Sequence, residues 1–559
     1  MKALKGIIRL HNFLQLIESP TRVTKFSATL IDLLSNSPRN IVKQAVVPLS
    51  LSDHDLVLCV RKINALKYSP KIIECRDYRS YSPEKFCESL RQINWDPVIN
   101  ACDVNNASHV FNDNFKAQCD RHAPLIQKKV RGVNYPWLTH EIKKLMRQRD
   151  CFLKKARRTN KEMDWSAYRN LRNAVNNKVR SAKANYNRNL IQENIDDSKS
   201  FWRAVNRVLP NDKKSKQFMT SIKVDENLKT DKGAIAEGFN HFFTSVVKAI
   251  GEKLSQRSDP SCQRQWSPSQ NAEAVFTNET FELSPVRSGL VHMLLKKLKT
   301  NKATGLDNIP ARLFKDGAPV ISECLAHIIN LSFASGVVPN DWKMARVVPL
   351  FKSGNRQEMN NYRPISILPV ISKIAEKVVY HQLSSYLDNL LSPCQSGFRK
   401  NFSTETAVTF FVDEIRRNMD NGLLTGAVFI DLKKAFDTID HHLLLNKLQR
   451  YGVSGRALLW FSSYLQGRSQ RVEVDKVLSS PLDIASGVPQ GSILGPLLFI
   501  LYVNDIPSCI CYSQVLFYAD DTVMFFAAET AIELEVSLNS DINCISSRMQ
   551  DTFFKPEQN

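Results

Sequence analysis

The chain lacks the marks of several common protein classes. No CxxC pair occurs among its twelve cysteines, which are scattered from Cys59 to Cys544. The closest spacing, Cys509-x-Cys511, does not make a zinc site, which needs clustered pairs. Reduced thiols in an intracellular protein are the expectation. Long apolar runs are missing too. The longest, Pro496 to Val503, is far short of the roughly 20 residues of a membrane helix, so no membrane partner is expected. The start, MKALKGIIRLHNFL, has neither a clear apolar centre nor a small-residue cleavage site, so it does not read as a secretory signal. Internal repeats are absent. Acidic charge is scarce between Arg121 and Leu190, with 4 Asp/Glu against 19 Lys/Arg, a net charge of +15.

What is present is a basic, globular chain. Its 559 residues exceed one ordinary core and imply several domains. Hydrophobic residues make up 43% and charged residues 23%, which excludes a disordered chain. The overall net charge is +21, and its concentration in one segment suits a polyanion, most simply nucleic acid. A solvated helical surface is the blander meaning of such a run.

Residues 20–60 read as two strands around a loop, and residues 83–118 as helical, with Phe111 and Phe115 one turn apart. From about Pro136 to Val208 the pattern is long basic helices carrying Trp137, Trp165, Tyr168, Tyr186 and Trp202. Aromatics among cations suit stacking on bases. Taken singly, each aromatic more often belongs to a helical core. Another amphipathic helix starts near Asp231, and the polar, Pro/Ser-rich stretch 254–275 reads as a linker. Residues 281–526 alternate helices and strands.

FYADDTV (517–523) sets two like charges between segments that want burial. Two carboxylates at a hairpin tip repel, and partial burial makes ionisation costlier. A divalent cation removes that conflict, because hard cations take carboxylate oxygens and bring compensating charge. Asp431 ends the strand TGAVFIDL, where a third carboxylate can meet the tip. Three such acids can hold two Mg²⁺ ions about 4 Å apart for phosphoryl transfer to a hydroxyl. Asp431 alone would pass for a strand-end acid in a loop. The Asp520-Asp521 pair has no such easy structural reading.

Seven segments occur in order: NKATGLDNIP (301–310), WKMARVVPLFKSG (342–354), NNYRPISILPVISKIAEKVV (360–379), QSGFRKNFST (395–404), AVFIDLKKAFDTIDH (427–441), SGVPQGSILGPLLFILYVNDI (486–506) and FYADDTV. This series resembles the reverse transcriptases of non-LTR retrotransposons, the jockey-like group in particular. The resemblance implies an α+β fold with right-hand fingers and palm. It implies RNA-directed DNA polymerase activity, with two Mg²⁺ as cofactors, Mn²⁺ as their substitute, and RNA template, DNA primer or target and dNTPs as partners. Asp431 and Asp520 match the principal metal ligands and Asp521 the supporting acid. Phe436 matches the ring that packs on the sugar and clashes with a 2′-OH, though a core phenylalanine is its plain alternative. Gln490 matches the residue beside the incoming nucleotide, and Gly487 and Gly491 allow close backbone approach. Lys352 and Arg363 match finger cations on the triphosphate, Arg363 suiting bidentate contact. Gln395, Gly397, Phe398 and Arg399 resemble the QxGFR segment near the template.

The N-terminal PTRVTKFSATLIDLLSN and LSDHDLVL resemble the last part of the apurinic endonuclease-like domain of the same family. Asp53 and His54 match its closing SDH motif and Asp32 the acid that orients the histidine. Most of that domain is not in the chain, so no nuclease activity is expected. The implied organisation is an α/β-sandwich endonuclease remnant over 1–62 and a mostly helical, basic linker region over 63–275. Fingers and palm follow over 276–530, and a truncated tail without a thumb over 531–559. Family members act in the nucleus after a cytoplasmic ribonucleoprotein stage, and the same is expected here. A non-catalytic nucleic-acid-binding remnant is the competing reading. An intron-encoded or telomeric enzyme is disfavoured by the SDH segment. Oligomeric state stays open.

Overall fold

The computed structural model describes residues 71–130, 135–209, 221–224, 227–255, 279–432 and 434–551, with short pieces between 14 and 61. Asp32, Asp53 and most of the expected linker lie outside the described residues. The chain forms two compact units, one from residues 1–75 and 127–204 and the other from 76–126 and 205–559.

In the first unit, β1 (Ile41–Val47) and β2 (Leu56–Arg61) pair antiparallel, with Val46 opposite Val57. Two later helices, α1 (Pro83–Arg91) and α2 (Val104–His122), belong to the second unit. Ser82 starts α1 by accepting the Lys85 N–H, with Pro83 in the first turn where its missing donor does no harm. Back in the first unit, Thr139 caps α3 (His140–Thr159), and Asn160 ends it in the left-handed region at φ 52°. The turn at Asn160 sends α4 (Glu162–Gln192) back along α3. Only Ile142, Ala156, Asp164 and Val175 are buried along these two helices. Asp164 is held by Lys155 at 3.0 Å and by the Thr159 hydroxyl at 2.6 Å.

The second unit holds α5 (Lys232–Ser255) and α6 (Ala311–Ser335). By length and composition α6 could cross a membrane. Its Leu313, Phe314, Ile321, Leu325 and Ile329 are instead buried in a core shared with Phe86, Phe111 and Phe115 of α1 and α2. The length test on apolar runs missed it because polar residues interrupt its sequence. Gly336 ends α6 at φ 67°.

β3 (Met344–Phe351) and β4 (Tyr362–Ile367) form an antiparallel hairpin with Leu350 opposite Arg363. α7 (Val370–Leu387) and α8 (Thr404–Asp420) follow, the latter opened by a Ser403/Thr406 capping box. β5 (Leu424–Ile430) comes next. β6 (Arg468–Val474) pairs parallel with β3. A small core of Ile235 and Phe239 from α5 with Val347, Tyr362 and Val472 packs this sheet. α9 (Gly495–Tyr502) is buried apart from Pro496. β7 (Gln514–Tyr518) and β8 (Asp521–Ala528) complete a second sheet of order β5-β8-β7. α10 (Ala531–Asp551) covers it closely at Gly426, where a Cβ would meet Leu538 at 2.7 Å. The fold is thus mixed α+β, with the acidic segment at one end of a three-stranded antiparallel sheet.

Candidate active site

Strand register decides where the acids meet. Ile430 pairs with Thr522, so Asp431, the next residue, reaches the same sheet end as the β7–β8 turn. That turn is short: Tyr518 pairs with Asp521, leaving Ala519 and Asp520 as its two residues. Burial pushes the Asp520 carboxyl above the usual range, and the Asp521 and Asp431 charges push it further. A backbone hydrogen bond and Arg363 pull the other way. Among the described residues no three His, Cys, Asp or Glu side chains are assembled as a ready metal cage. The three carboxylates nevertheless share one sheet end, and a half-buried acid under like-charge repulsion is the donor set that a hard divalent cation relieves.

A cavity of about 570 Å³ opens at this end. Asp431, Asp520, Lys352, Arg363, Phe398, Phe436, Asp437 and Gln490 all line it. Lys352 and Arg363 come from the β3–β4 hairpin, whose closing bond runs from the Lys352 N–H to the Asn361 carbonyl at 2.8 Å. Phe436 stacks on buried Phe499 at 4.7 Å and meets Phe398 edge-on at 6.0 Å. Its ring is therefore held by α9 while still lining the cavity. Seven residues expected from sequence thus face one space. Asp521 lines a neighbouring cavity with Asp431.

The loop bearing Gln490 is sewn down tightly. The Gly487 N–H donates to Ile439 O at 2.8 Å and the Val488 N–H to Phe436 O at 2.9 Å. At Gly487, φ is 78° and a Cβ would meet Asp437 O at 2.6 Å, so only glycine fits. Gln490 O accepts the Ser366 N–H at 2.7 Å. Two supporting acids escaped sequence reading. Asp437 accepts from Gln490 Nε2 at 2.8 Å, and burial pushes its carboxyl up to about 6. Glu376, on α7, is buried and accepts the Ile493 and Leu494 N–H groups at 2.6 and 3.3 Å just before α9. A lone Glu inside the apolar run ISKIAEKVV was the available signal.

In the QxGFR segment, expected near the template, the polar side chains turn toward backbone. Gln395 is 2% exposed, and its side chain is bonded to the β7–β8 turn. Arg399 donates to the Ser392 and Asp388 carbonyls at 2.8 and 3.2 Å and lies over Phe402. Both polar groups are committed to backbone. Only Phe398, at φ 59°, faces the cavity.

Of the endonuclease-like residues, only His54 is described. It forms a bridge with Arg22. Among the basic-region aromatics, Trp137 packs on Tyr186 at 5.7 Å with Lys183 above it, and Trp165 meets Tyr168 edge-on. Trp202 is 59% exposed.

Residues 352–557 match the family model described as reverse transcriptase (RNA-dependent DNA polymerase). Residues 138–197 match one described as the Female sterile protein K10 C-terminal domain. The chain is 27% identical over 464 residues to the RNA-directed DNA polymerase from mobile element jockey of Drosophila melanogaster, covering 80% of this chain and 49% of that protein. Its Drosophila funebris counterpart is 26% identical, over 77% and 47% of the two chains. The probable RNA-directed DNA polymerase from transposon BS of Drosophila melanogaster is 30% identical over 47% of this chain and 30% of the relative. The chain spans about half the length of the jockey relatives it matches. Residues 352–557 thus match a reverse transcriptase domain with seven of the motif residues around one cavity, and the chain as a whole is similar to the jockey-like enzymes of non-LTR retrotransposons.

Proposed function

We propose that the chain is an RNA-directed DNA polymerase that adds deoxynucleotides to a DNA 3′-OH by phosphoryl transfer. The observation that carries this reading is the single cavity lined by Asp431, Asp520, Lys352, Arg363, Phe436 and Gln490. Lys352 and Arg363 bind the triphosphate from the hairpin side, Arg363 by paired N–H donors. Phe436, fixed by Phe499, lies under the sugar and leaves no room for a 2′-OH. Asp437 takes the Gln490 amide N–H, which turns the Gln490 carbonyl toward the nucleotide. Asp431, Asp520 and Asp521 would hold two Mg²⁺ ions. When bound, these ions supply an acidified attacking hydroxyl and a neutralised leaving pyrophosphate.

RNA serves as template, and the primer is a DNA end at the target. The active fingers and palm occupy residues 276–530, after a basic linker region and a short endonuclease-like piece. The site of action is the nucleus, after a cytoplasmic ribonucleoprotein stage. Nucleic-acid binding without catalysis is a second reading, favoured by the +15 segment alone.

Primer extension by the purified chain on an RNA template with a DNA primer and Mg²⁺ tests the first reading. Extension that disappears in Asp520→Asn is expected. Binding of RNA with no extension by the unmutated chain would replace polymerase activity with the second reading.

A further inference from the structure

The site reading leaves the buried amide of Gln395 unexplained. Residues 394–396 run beside β7 as a short extra edge. The Phe517 N–H donates to Cys394 O and the Ser396 N–H to Phe517 O, both at 2.8 Å, and Gln395 bridges Phe517 in parallel register. From there the Gln395 side chain reaches the turn before Asp520. Its Oε1 accepts the Gly397 N–H at 2.7 Å and the Ala519 N–H at 3.1 Å, while Nε2 donates to Ala519 O at 3.5 Å. Both backbone polar groups of Ala519 therefore engage one amide. Ala519 is 7% exposed, so no water replaces that partner freely.

The turn needs such a partner. Ala519 sits at φ 59°, a region disfavoured by any residue with a Cβ. An amide offers an acceptor and a donor side by side, matching the N–H and C=O of a single residue. Asparagine is one methylene shorter. Gly397 completes the fit, because a Cβ there would stand 2.2 Å from the Ala519 nitrogen. The approach of the two backbones requires glycine at 397 and a long amide at 395 together.

We propose that Gln395 is a positioning residue that holds the Ala519-Asp520 turn in the conformation from which Asp520 ligates the catalytic cation. The inference rests on the reading of Asp520 as a ligand. Gln395 touches neither nucleotide nor cation. It acts on the backbone of the residue before the ligand, as partners behind first ligands commonly do.

Gln395→Met tests the idea, since methionine keeps the length and fills the space but neither accepts nor donates as the amide does. Two readouts on the full chain separate the parts. Hydrogen exchange of a peptide covering residues 515–523, measured without metal, reports on the turn itself. Mn²⁺ titration followed by electron paramagnetic resonance reports on the ligand. In Gln395→Met, exchange at Ala519 should rise at least about tenfold, and Mn²⁺ binding should weaken by about 10- to 100-fold. Gln395→Glu, which still accepts both N–H groups, should restore slow exchange. Should the methionine variant melt far below the unmutated chain, Gln395→Asn takes its place with the same expectations. Unchanged exchange in the variant would overturn the clamp, as would weaker Mn²⁺ binding with the turn still protected. Asp520→Asn should lose Mn²⁺ while keeping the turn protected. Equal Mn²⁺ binding by Asp520→Asn would overturn the ligand reading, and the positioning role with it, whatever the exchange shows.

Discussion

The α3–α4 hairpin and the acidic end of the β5-β8-β7 sheet concentrate opposite charges by opposite means. On the hairpin, Lys144, Arg147, Arg158 and Arg180 are exposed along two helices that share four buried residues. Local sequence is enough to present them: a cap at Thr139, a stop at Asn160 and helical spacing between. At the sheet end, Asp431 and Asp520 come from segments far apart in sequence. Strand register, a strained turn, a buried amide and a helix packed on Gly426 are all needed to aim them. Surface cations attract a polyanion from many arrangements, since phosphates form a continuous charged track. Carboxylates that share a cation must be placed to within fractions of an ångström. One region tolerates loss of parts and the other does not.

The largest expected effect lies at the sheet end. Asp520→Asn should lower nucleotide addition by roughly 10³-fold or more while leaving RNA affinity unchanged. A parallel decline in RNA binding, seen by filter retention, would show that the two regions are not separable in this way.

Phe436→Ala should come next. Removing the ring proposed to face the sugar should reduce discrimination against ribonucleotides by about 10- to 100-fold, read as the ratio of kcat/KM for deoxy- and ribonucleotides. An unchanged ratio would reduce Phe436 to a packing residue against Phe499.

On the hairpin, changing Lys144, Arg147, Arg158 and Arg180 to Gln should weaken RNA binding by about tenfold. The salt dependence of binding should also flatten by roughly 0.7 per phosphate contact removed. The kcat at saturating template should not move. A fall in kcat would break the division of labour between the regions.

The smallest effect belongs to Asp437. Its carboxyl is raised in the fold to about 6, so the folded chain retains the proton that the unfolded chain releases first. The associated stability is present below about pH 4 and is lost as pH rises through about 6. Compared with Asp437→Asn, the unmutated chain should lose on the order of 1 kcal/mol over that interval, measured by urea denaturation at fixed pH. A constant difference across pH 4–6 would mean that Asp437 is as solvated as an ordinary surface acid.

Sequence alone reached the family likeness and the meeting of the acids at one sheet end, because two adjacent carboxylates inside apolar strands have few structural uses. It also reached the β7–β8 hairpin, the basic helices and the residues around the cavity, since each carries its meaning within a short segment. It did not reach the partners of those residues. Motif resemblance alone places Gln395 near the template, and its local sequence carries no sign of burial. Only the pairing of residues 394–396 with β7 turns its amide inward. Asp437 gives no local sign of its role, and Glu376 only that of an acid in an apolar run, since their partners lie 53 residues on at Gln490 and 117 on at Ile493. The chain's chemistry is written in local patterns of charge and hydrophobicity. The geometry that makes Asp431, Asp520, Lys352, Arg363 and the Phe436 ring face one cavity comes from strand register and helix packing between distant segments, which tertiary structure alone decides.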